Sequence, residues 1–260
     1  MSDCHYDRRL LFTRKFFMRR RLIAGNWKMH GTQKSAENLL RAISENAKSF
    51  SDIELAVFPP FVHLPLCKNI LNSTVHYGAQ TVSEFADGAY TGEISANMLR
   101  DLGCRYVIIG HSERRHIFNE TNAHITQKCI AAVNVGLIPI LCVGETLAQR
   151  EKELTLSVVQ EQLDVVRILK DNCSDFKEIV IAYEPVWAIG TGKSATPEQA
   201  QIVHAAIRAQ LPQSRIIYGG SVKPDNAKAL FAMPDIDGAL IGGASLDAKT
   251  FLEIGKLCKQ

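Results

Sequence analysis

A glutamate that follows a short apolar run is the residue from which a chemical role is most readily argued. Glu184 comes directly after the run Ile179 to Tyr183 and directly before Pro185. Such a run is typical of a strand that is covered on both faces. Pro185 fixes its own φ and disfavours helical geometry in the residue before it, so the chain should turn at the carboxylate. A lone glutamate at a strand end is more often a solvated rim residue, and its role therefore depends on the groups that follow other strands.

Three further polar residues also follow apolar runs. Asn26 and Lys28 come after the first run, and His111 comes after Tyr-Val-Ile-Ile-Gly at 106–110. A helix should begin after His111, with Ser112 as its N-cap. Because the positive end of a helix disfavours an imidazolium, we expect the ring of His111 to be neutral and able to donate a hydrogen bond to a carbonyl oxygen.

A carboxylate, a neutral imidazole and an ammonium group suit proton transfer next to a carbonyl. Glu184 can remove a proton from the adjacent carbon, His111 can handle protons at the two oxygens, and Lys28 can offset the enediolate charge. This chemistry requires no metal and no organic cofactor. The histidines and cysteines also lack the spacing of a zinc site, so we expect neither.

Glycine-rich segments predict a phosphate site near these groups. The segments YGGSV (218–222) and LIGGAS (240–245) follow the last two apolar runs, and Gly190 lies in the loop after Glu184. Glycine lets backbone N–H groups approach an anion closely, and a following short helix adds its positive end. One such pair would be read as a tight turn, but two in consecutive loops favour a bound phosphate.

Two other glycine-containing segments do not match the known nucleotide-binding patterns. GTGKS (190–194) matches part of a P-loop, but that pattern requires glycine at the position of Trp187. The first strand-helix turn, GNWKMHG (25–31), lacks the GxGxxG pattern of dinucleotide-binding folds.

Eight strand-helix units should position these residues. Apolar runs alternate with amphipathic helical segments over about 235 residues from Leu22 onwards. The predicted strands are LIAGNW (22–27), ELAVF (54–58), VHYGA (75–79), YVIIG (106–110), LIPILCV (137–143), EIVIAY (178–183), RIIYG (215–219) and GALIG (238–242). The predicted helices cover 34–48, 62–71, 95–102, 121–134, a segment reaching 169, 197–210, 225–231 and 248–257.

This alternation predicts an α/β fold with parallel strands, and eight units are enough to close a single-domain (β/α)8 barrel. A doubly wound open sheet is the alternative. In a closed barrel the residues that follow the strands meet on one rim. The helix at 197–210 has a complete start signal, with Thr196 as N-cap, Pro197 at the first position and Gln199 completing a capping box.

Composition excludes several classes of partner. The chain has 260 residues and a net charge of +3, of which residues 1–17 contribute +2, so the remainder gives no support for a nucleic-acid partner. No apolar run approaches the roughly 18 residues of a membrane span. Seven scattered cysteines without a CxxC pair indicate free thiols in a reducing compartment, and we expect a cytoplasmic location.

Residues 1–17 are expected to form a detachable extension. They carry four basic residues but no secretory signal pattern. We expect this segment to be disordered or to result from an upstream start codon, with the catalytic domain at 18–260 and Met18 as its first residue.

With these residues in place, the sequence resembles the triosephosphate isomerase family. The matching segments are GNWKMHG (25–31), GHSERR (110–115), AYEPVWAIGTGKSATPEQA (182–200), YGGSV (218–222) and LIGGAS (240–245), in the order of that family. The resemblance implies a TIM barrel that interconverts dihydroxyacetone phosphate and glyceraldehyde 3-phosphate without a cofactor. It implies Asn26 and Lys28 in the substrate site, His111 as electrophile, Glu184 as base, and Gly190, Ser221, Gly242 and Gly243 at the phosphate.

The resemblance also gives two loops a role. It implies that the loop Gln80 to Ser95, with Thr91 near its tip, enters a neighbouring subunit, so a homodimer is expected. The segment Pro185 to Ala195 is expected to close over the site, held by Tyr218 and Ser221, and to protect the enediol from losing its phosphate.

Two alternatives remain open at this stage. One is another phosphate-binding barrel, a lyase or synthase acting on a larger substrate, and the segments GNWKMHG (25–31) and YEPVWAIGTG (183–192) argue against it. The other is a phosphate-binding protein without catalysis, and the presence of Lys28, His111 and Glu184 argues against that.

Overall fold

The structure is a computed structural model that describes residues 19–174, 176–189 and 194–259. The predicted extension at 1–17, Met18 and Gly190 lie outside the described residues. Within them, eight strands alternate with helices as the sequence predicts. The strands are β1 (Leu22–Asn26), β2 (Glu54–Phe58), β3 (Val75–Ala79), β4 (Tyr106–Ile109), β5 (Ile138–Val143), β6 (Val180–Tyr183), β7 (Arg215–Tyr218) and β8 (Gly238–Ile241).

Ten α-helices are described between and after these strands. They are α1 (Gln33–Asn46), α2 (Leu64–Ile70), α3 (Ala96–Asp101), α4 (Ser112–His116), α5 (Asn122–Asn134), α6 (Leu147–Glu151), α7 (Thr155–Asn172), α8 (Pro197–Gln210), α9 (Pro224–Phe231) and α10 (Ala248–Leu257).

All eight strands are parallel and form one closed barrel. The strands pair in chain order, and β8 returns to β1 with Leu22 opposite Gly238. The predicted (β/α)8 barrel is therefore confirmed, and the alternative of a doubly wound open sheet is wrong. Closure leaves no unpaired sheet edge, and it places the carboxyl ends of all eight strands on one rim.

The core has two layers because alternate residues of each strand face opposite ways. In β1, Leu22 and Ala24 belong to the cluster inside the barrel, whereas Ile23 packs in the layer between strands and helices. Cys142 lies in the inner cluster, as expected of a packing residue. Burial raises the pKa of its thiol well above the usual range, so the thiol stays protonated.

A buried ionic cluster occupies the amino-terminal end of the barrel. Glu54 accepts hydrogen bonds from Tyr106 Oη at 2.6 Å and from Arg215 Nη1 at 2.9 Å. Burial acts to raise the pKa of Glu54, but the Tyr106 hydrogen bond and the positive charge of Arg215 together lower it below its usual value. The charged groups thus satisfy one another where side chains fill the barrel.

Helix boundaries follow the predicted signals with two differences. The helix at 197–210 has the predicted bounds, and Thr196, Pro197 and Gln199 form the predicted start with both capping-box hydrogen bonds. The predicted helix at 62–71 is a 3₁₀ turn at Phe61–His63 followed by α2. The segment predicted to reach 169 is two helices, α6 and α7, with Glu153 at a positive φ of 59° between them.

Candidate active site

The carboxyl-terminal rim encloses a cavity of about 280 Å³. Seven of the eight predicted site residues line it: Asn26, Lys28, His111, Glu184, Ser221, Gly242 and Gly243. The eighth, Gly190, lies outside the described residues. These residues come from five stretches that are far apart in the sequence. They converge because each stretch lies at the carboxyl end of a strand of the same closed barrel.

Glu184 lies at the end of β6 and is only 2% exposed. Its Oε2 accepts a hydrogen bond from the backbone N–H of Ser112 at 2.8 Å. Its Oε1 is 3.1 Å from Nε2 of His111, but the ring N–H direction does not point at this oxygen, and Oε1 forms no hydrogen bond with any described residue. One oxygen thus fixes the carboxylate while the other keeps its lone pairs free.

Two glycines on neighbouring strands make room for Glu184. A Cβ atom at Gly219 would lie 2.8 Å from Cγ of Glu184, and one at Gly144 would lie 1.8 Å from its backbone oxygen. Such contacts are much shorter than van der Waals distance, so only glycine fits. Gly144 was not predicted as a site residue. The signal that could have identified it is its position directly after Val143, where β5 ends on the same rim.

His111 is the N-cap of α4, which corrects the prediction that Ser112 would cap this helix. Nδ1 of His111 accepts the backbone N–H of Glu113 at 3.2 Å. Ser112 is already the first helical residue, and its N–H points to Glu184 instead. Because Nδ1 accepts, it carries no proton, and a neutral ring has its N–H at Nε2, the nitrogen nearest to the Glu184 carboxylate.

Lys28 adopts a backbone conformation that is unusual for a side-chain-bearing residue. Its φ is +54°, and two contacts hold this geometry. Oδ1 of Asn26 accepts the N–H of Lys28 at 3.1 Å, and Nε2 of Gln80 donates to its carbonyl oxygen at 2.8 Å. Backbone strain at a cavity wall is consistent with a side chain that must be aimed at one point.

Glu113 pairs with Lys28 and was missed as a candidate from the sequence. Nζ of Lys28 lies 2.6 Å from Oε1 of Glu113. The missed signal was the position of Glu113 two residues after His111, where the chain is still on the same rim. Gln80 was missed likewise, although it directly follows β3.

The glycine pair after β8 leaves open space where a phosphate was predicted. A Cβ atom at Gly243 would meet no atom within 4 Å, and one at Gly242 would lie 3.6 Å from Cε of Lys28. Gly243 begins a 3₁₀ turn that ends at Leu246, so its backbone N–H is at the positive end of that turn. Ser221 lines the same part of the cavity.

The start of the predicted lid is anchored on a buried carboxylate. Glu145 is fully buried and accepts hydrogen bonds from Tyr183 Oη at 3.1 Å and from Trp187 Nε1 at 2.8 Å. The guanidinium of Arg150 stacks on the Trp187 ring at 4.5 Å from the centroid. Near the far end of the lid segment, burial raises the pKa of Tyr218 to about 12, so its hydroxyl stays protonated beside the Ala195 backbone.

An apolar surface surrounds a second cavity next to the catalytic one. This cavity of about 250 Å³ shares Asn26, Lys28 and His111 with the first. Its lining includes the exposed apolar side chains of Met29 (93% exposed) and Phe118 (62%), and the exposed residues Val62 (78%) and Ile117 (67%) are chain neighbours of its lining residues Phe61 and Phe118. In the loop Gln80 to Ser95, the rings of Phe85 and Tyr90 stack at 4.2 Å and are partly exposed.

Within the described residues, no helix is long and apolar enough to cross a membrane. In the same part of the chain, no group of three or more histidine, cysteine or acidic residues is placed to hold a metal ion.

Comparisons with known proteins agree with the fold and the cavity. The family model described as triosephosphate isomerase matches residues 21–258. A triosephosphate isomerase of Coxiella burnetii (strain Dugway 5J108-111) is 57% identical over 251 residues, which cover 93% of this chain and 98% of that protein. Those of Halorhodospira halophila and Nitrosococcus oceani are 56% and 51% identical, each over 91% of this chain and over 97% and 98% of their own lengths. The chain therefore belongs to the triosephosphate isomerase family.

Proposed function

We propose that Glu184 transfers the proton in the interconversion of dihydroxyacetone phosphate and D-glyceraldehyde 3-phosphate, the reaction that this chain catalyses as a member of its family. One observation carries this assignment. Oε1 of Glu184 is buried, free of hydrogen bonds to described residues, and 3.1 Å from Nε2 of His111 in the rim cavity. A base and a proton donor thus lie side by side, as an aldose-ketose isomerisation requires.

The proposed reaction moves one proton between neighbouring carbons. Oε1 of Glu184 takes a proton from the carbon next to the carbonyl, and the electrons of that C–H bond form the C=C bond of an enediolate. The carbonyl oxygen, which gains the negative charge, receives a hydrogen bond from Nε2 of His111. Glu184 returns the proton to the adjacent carbon, and His111 moves the hydroxyl proton between the two oxygens.

Lys28 is proposed to stabilise the negative charge of the enediolate. In the described structure its ammonium group pairs with Glu113 at 2.6 Å. Asn26 and Gln80 hold the Lys28 backbone in the conformation that directs its side chain into the cavity. We propose that Glu113 orients this ammonium group and accepts a hydrogen bond from it between turnovers.

The phosphate of the substrate is proposed to bind at Ser221, Gly242 and Gly243. The open space above Gly243 and its place at the start of a 3₁₀ turn support this. Gly190 is proposed to complete the site on the basis of its sequence position in the lid segment. Closure of 185–195 would then exclude water and limit the loss of phosphate from the enediolate.

We also propose that the protein is a homodimer in which the loop Gln80 to Ser95 of one subunit enters the second cavity of the other. Exposed apolar side chains of Met29 and Phe118 line that cavity, and such patches are characteristic of interfaces. Since the cavity is lined by Lys28 and His111, the partner's loop would buttress the catalytic groups. Sedimentation equilibrium would test this, and a fully active monomer would contradict it.

A cytoplasmic location is proposed from the scattered thiols. The six cysteines within the described residues are all free and buried. Fractionation of the source cells tests the proposal, and recovery of the protein with the membranes or outside the cell would contradict it.

The assignment of Glu184 is tested by turnover of glyceraldehyde 3-phosphate by the wild type and Glu184→Asp. Shortening the side chain by one methylene moves the carboxylate away from the carbon, and kcat should fall on the order of a hundredfold while KM changes little. Unchanged turnover would show that another group is the base. Absence of turnover in the wild type would favour a lyase or a binding protein instead.

A further inference from the structure

We propose that a cavity at the amino-terminal end of the barrel binds a small organic phosphate, at a site distinct from the catalytic one. This amino-terminal cavity has a volume of about 450 Å³, larger than the 280 Å³ of the catalytic cavity. Its lining includes Arg100, Arg105, Leu137, Ile138, Lys177 and Glu178. A volume of this size falls in the usual range of small-molecule sites, roughly 300 to 1,000 Å³.

The amino-terminal cavity lies on the face opposite to the rim that carries Glu184. Arg105 directly precedes β4, Leu137 directly precedes β5, and Glu178 lies just before β6. Parallel strands have all their amino ends on one side of the barrel. A ligand there would therefore contact none of the groups proposed to act on triose phosphate.

The charged residues of the lining are predominantly cationic. Arg100, Arg105 and Lys177 face one carboxylate, Glu178, which leaves a net charge of +2. Within residues 19–174, 176–189 and 194–259, neither the guanidinium of Arg100 nor the ammonium of Lys177 forms an ion pair or hydrogen bond. Two of the three cations are thus available to a ligand.

The one carboxylate in the lining, that of Glu178, already pairs with an arginine inside the barrel. Glu178 pairs with Arg215, which also holds Glu54 at 2.9 Å. Glu54 in turn accepts from Tyr106 and lies 3.3 Å from Nε of Arg105, whose side chain is 45% exposed. Arg105 is the outermost partner of Glu54 and can offer its remaining N–H groups to an anion in the cavity.

Apart from Asn134, the rest of the wall is apolar or glycine main chain. Leu137 is buried and Ile138 half-buried beneath the cavity. Gly136 has a φ of +77°, and no atom lies within 4 Å of the position of a Cβ atom. Arginine and lysine recognise phosphate by charge-assisted hydrogen bonds. The combination favours a phosphate monoester whose organic part packs against the wall beside Leu137.

Phenyl phosphate is a suitable probe because it combines a dianion with an apolar ring. Amide NMR of the full chain can locate its binding, because the two cavities are lined by different backbone amides. We expect the amide resonances of Gly136 and Ile138 to shift along one shared binding curve. Any shifts of the Ser221 and Gly243 amides should follow a separate curve. Inorganic phosphate should bind the amino-terminal cavity more weakly, since it lacks the ring.

The matched variants are Arg100→Ala/Lys177→Ala and Lys228→Ala/Lys256→Ala. Both remove two positive charges from exposed side chains, but Lys228 and Lys256 lie on α9 and α10, away from β4 to β6. The first variant should weaken binding at Gly136 and Ile138 at least tenfold, and the second should not. Turnover of triose phosphate should stay at the wild-type value in both.

The proposal is overturned if phenyl phosphate shifts only amides around the catalytic cavity. It is also overturned if the two double variants weaken binding equally, which would indicate a general effect of net charge. Lys177→Glu provides a second variant that keeps Arg100 in place. It should abolish the shifts at Gly136, and retention of wild-type binding in Lys177→Glu would contradict the proposal.

Discussion

Oε2 of Glu184 accepts the backbone N–H of Ser112 at 2.8 Å, so the first residue of α4 fixes the carboxylate that follows β6. The same helix start carries His111, whose Nε2 lies 3.1 Å from the other carboxylate oxygen. A single turn after β4 therefore positions both the proposed base and the proposed proton donor. Changes that move this turn or crowd Glu184 should affect catalysis more than stability.

Gly219→Ala should lower kcat without a comparable loss of stability. The new Cβ atom would lie 2.8 Å from Cγ of Glu184, which is at the end of a side chain that can shift. A displacement of about 1 Å would cost on the order of a hundredfold in rate. Glu37→Gln on α1 is a useful comparison, because Glu37 pairs with Arg41 in the same helix and does not line the catalytic cavity. Steady-state kinetics with thermal unfolding of each variant would show whether the rate loss is specific to Glu184.

Glu113→Gln should reduce kcat by removing the carboxylate that orients Lys28. The 2.6 Å ion pair becomes a weaker hydrogen bond from the ammonium group to an uncharged amide oxygen, so the ammonium group is held less firmly beside the enediolate. We expect a loss on the order of tenfold to a hundredfold in kcat. Glu37→Gln removes an exposed carboxylate that pairs with Arg41 within α1, and it should leave kcat unchanged. Equal kcat values for wild type and Glu113→Gln would remove Glu113 from the proposed machinery.

Glu145→Gln should raise the proportion of substrate that loses its phosphate. Glu145 accepts from both Tyr183 and Trp187, so its amide replacement weakens the anchor of the lid segment. A lid that closes less often leaves the enediolate exposed to water. The measurement is the ratio of free phosphate to isomerised product at the same turnover. A ratio equal to that of the wild type would argue against this anchor.

His204 should make the protein less stable as the pH falls from about 6.5 to 4. Burial is the main cause that lowers the pKa of His204 to about 4, so the folded protein keeps the ring neutral while the unfolded chain takes up a proton. The unfolded state therefore binds more protons in this window, and stability drops by about 3 kcal/mol across it. Comparing the free energy of unfolding of wild type and His204→Gln from pH 7 to 4 isolates this contribution. Parallel pH profiles for the two proteins would contradict it.

A chain that begins at Met18 should retain full activity and stability. The family match begins at residue 21, and Arg19 already contributes an ion pair with Asp237 at 3.0 Å. Removing residues 1–17 leaves the family-matched region and the Arg19–Asp237 ion pair intact. Turnover and thermal unfolding of the shortened chain provide the measurement, and a marked loss in either would show that the extension has a role in the barrel.

The barrel and most of its cavity could be predicted because strand periodicity and rim position are local signals. Eight apolar runs sufficed to predict closure, and Asn26, Lys28, His111, Ser221 and Gly243 each follow a run directly. Helix capping at Thr196 was equally local, since its partners lie within three residues.

Contacts between distant segments could not be predicted in the same way. The capping of α4 by His111 instead of Ser112 depends on Glu184, which is 72 residues away and takes the Ser112 N–H. Glu113 gained its role from Lys28, 85 residues earlier. The glycine at 219 is required by the Glu184 side chain of the neighbouring strand and not by its own backbone geometry.

The proton transfer by Glu184 is tested most directly by measuring the exchange of carbon-bound hydrogen for deuterium in D2O. A proton held on a carboxylate exchanges with solvent, so the wild type should incorporate deuterium at the carbon next to the carbonyl of recovered dihydroxyacetone phosphate. Glu184→Gln, which has no base, should lose this incorporation together with turnover, while Glu37→Gln on α1 should keep it. Deuterium incorporation by Glu184→Gln at the wild-type rate would contradict the assignment of Glu184 as the base.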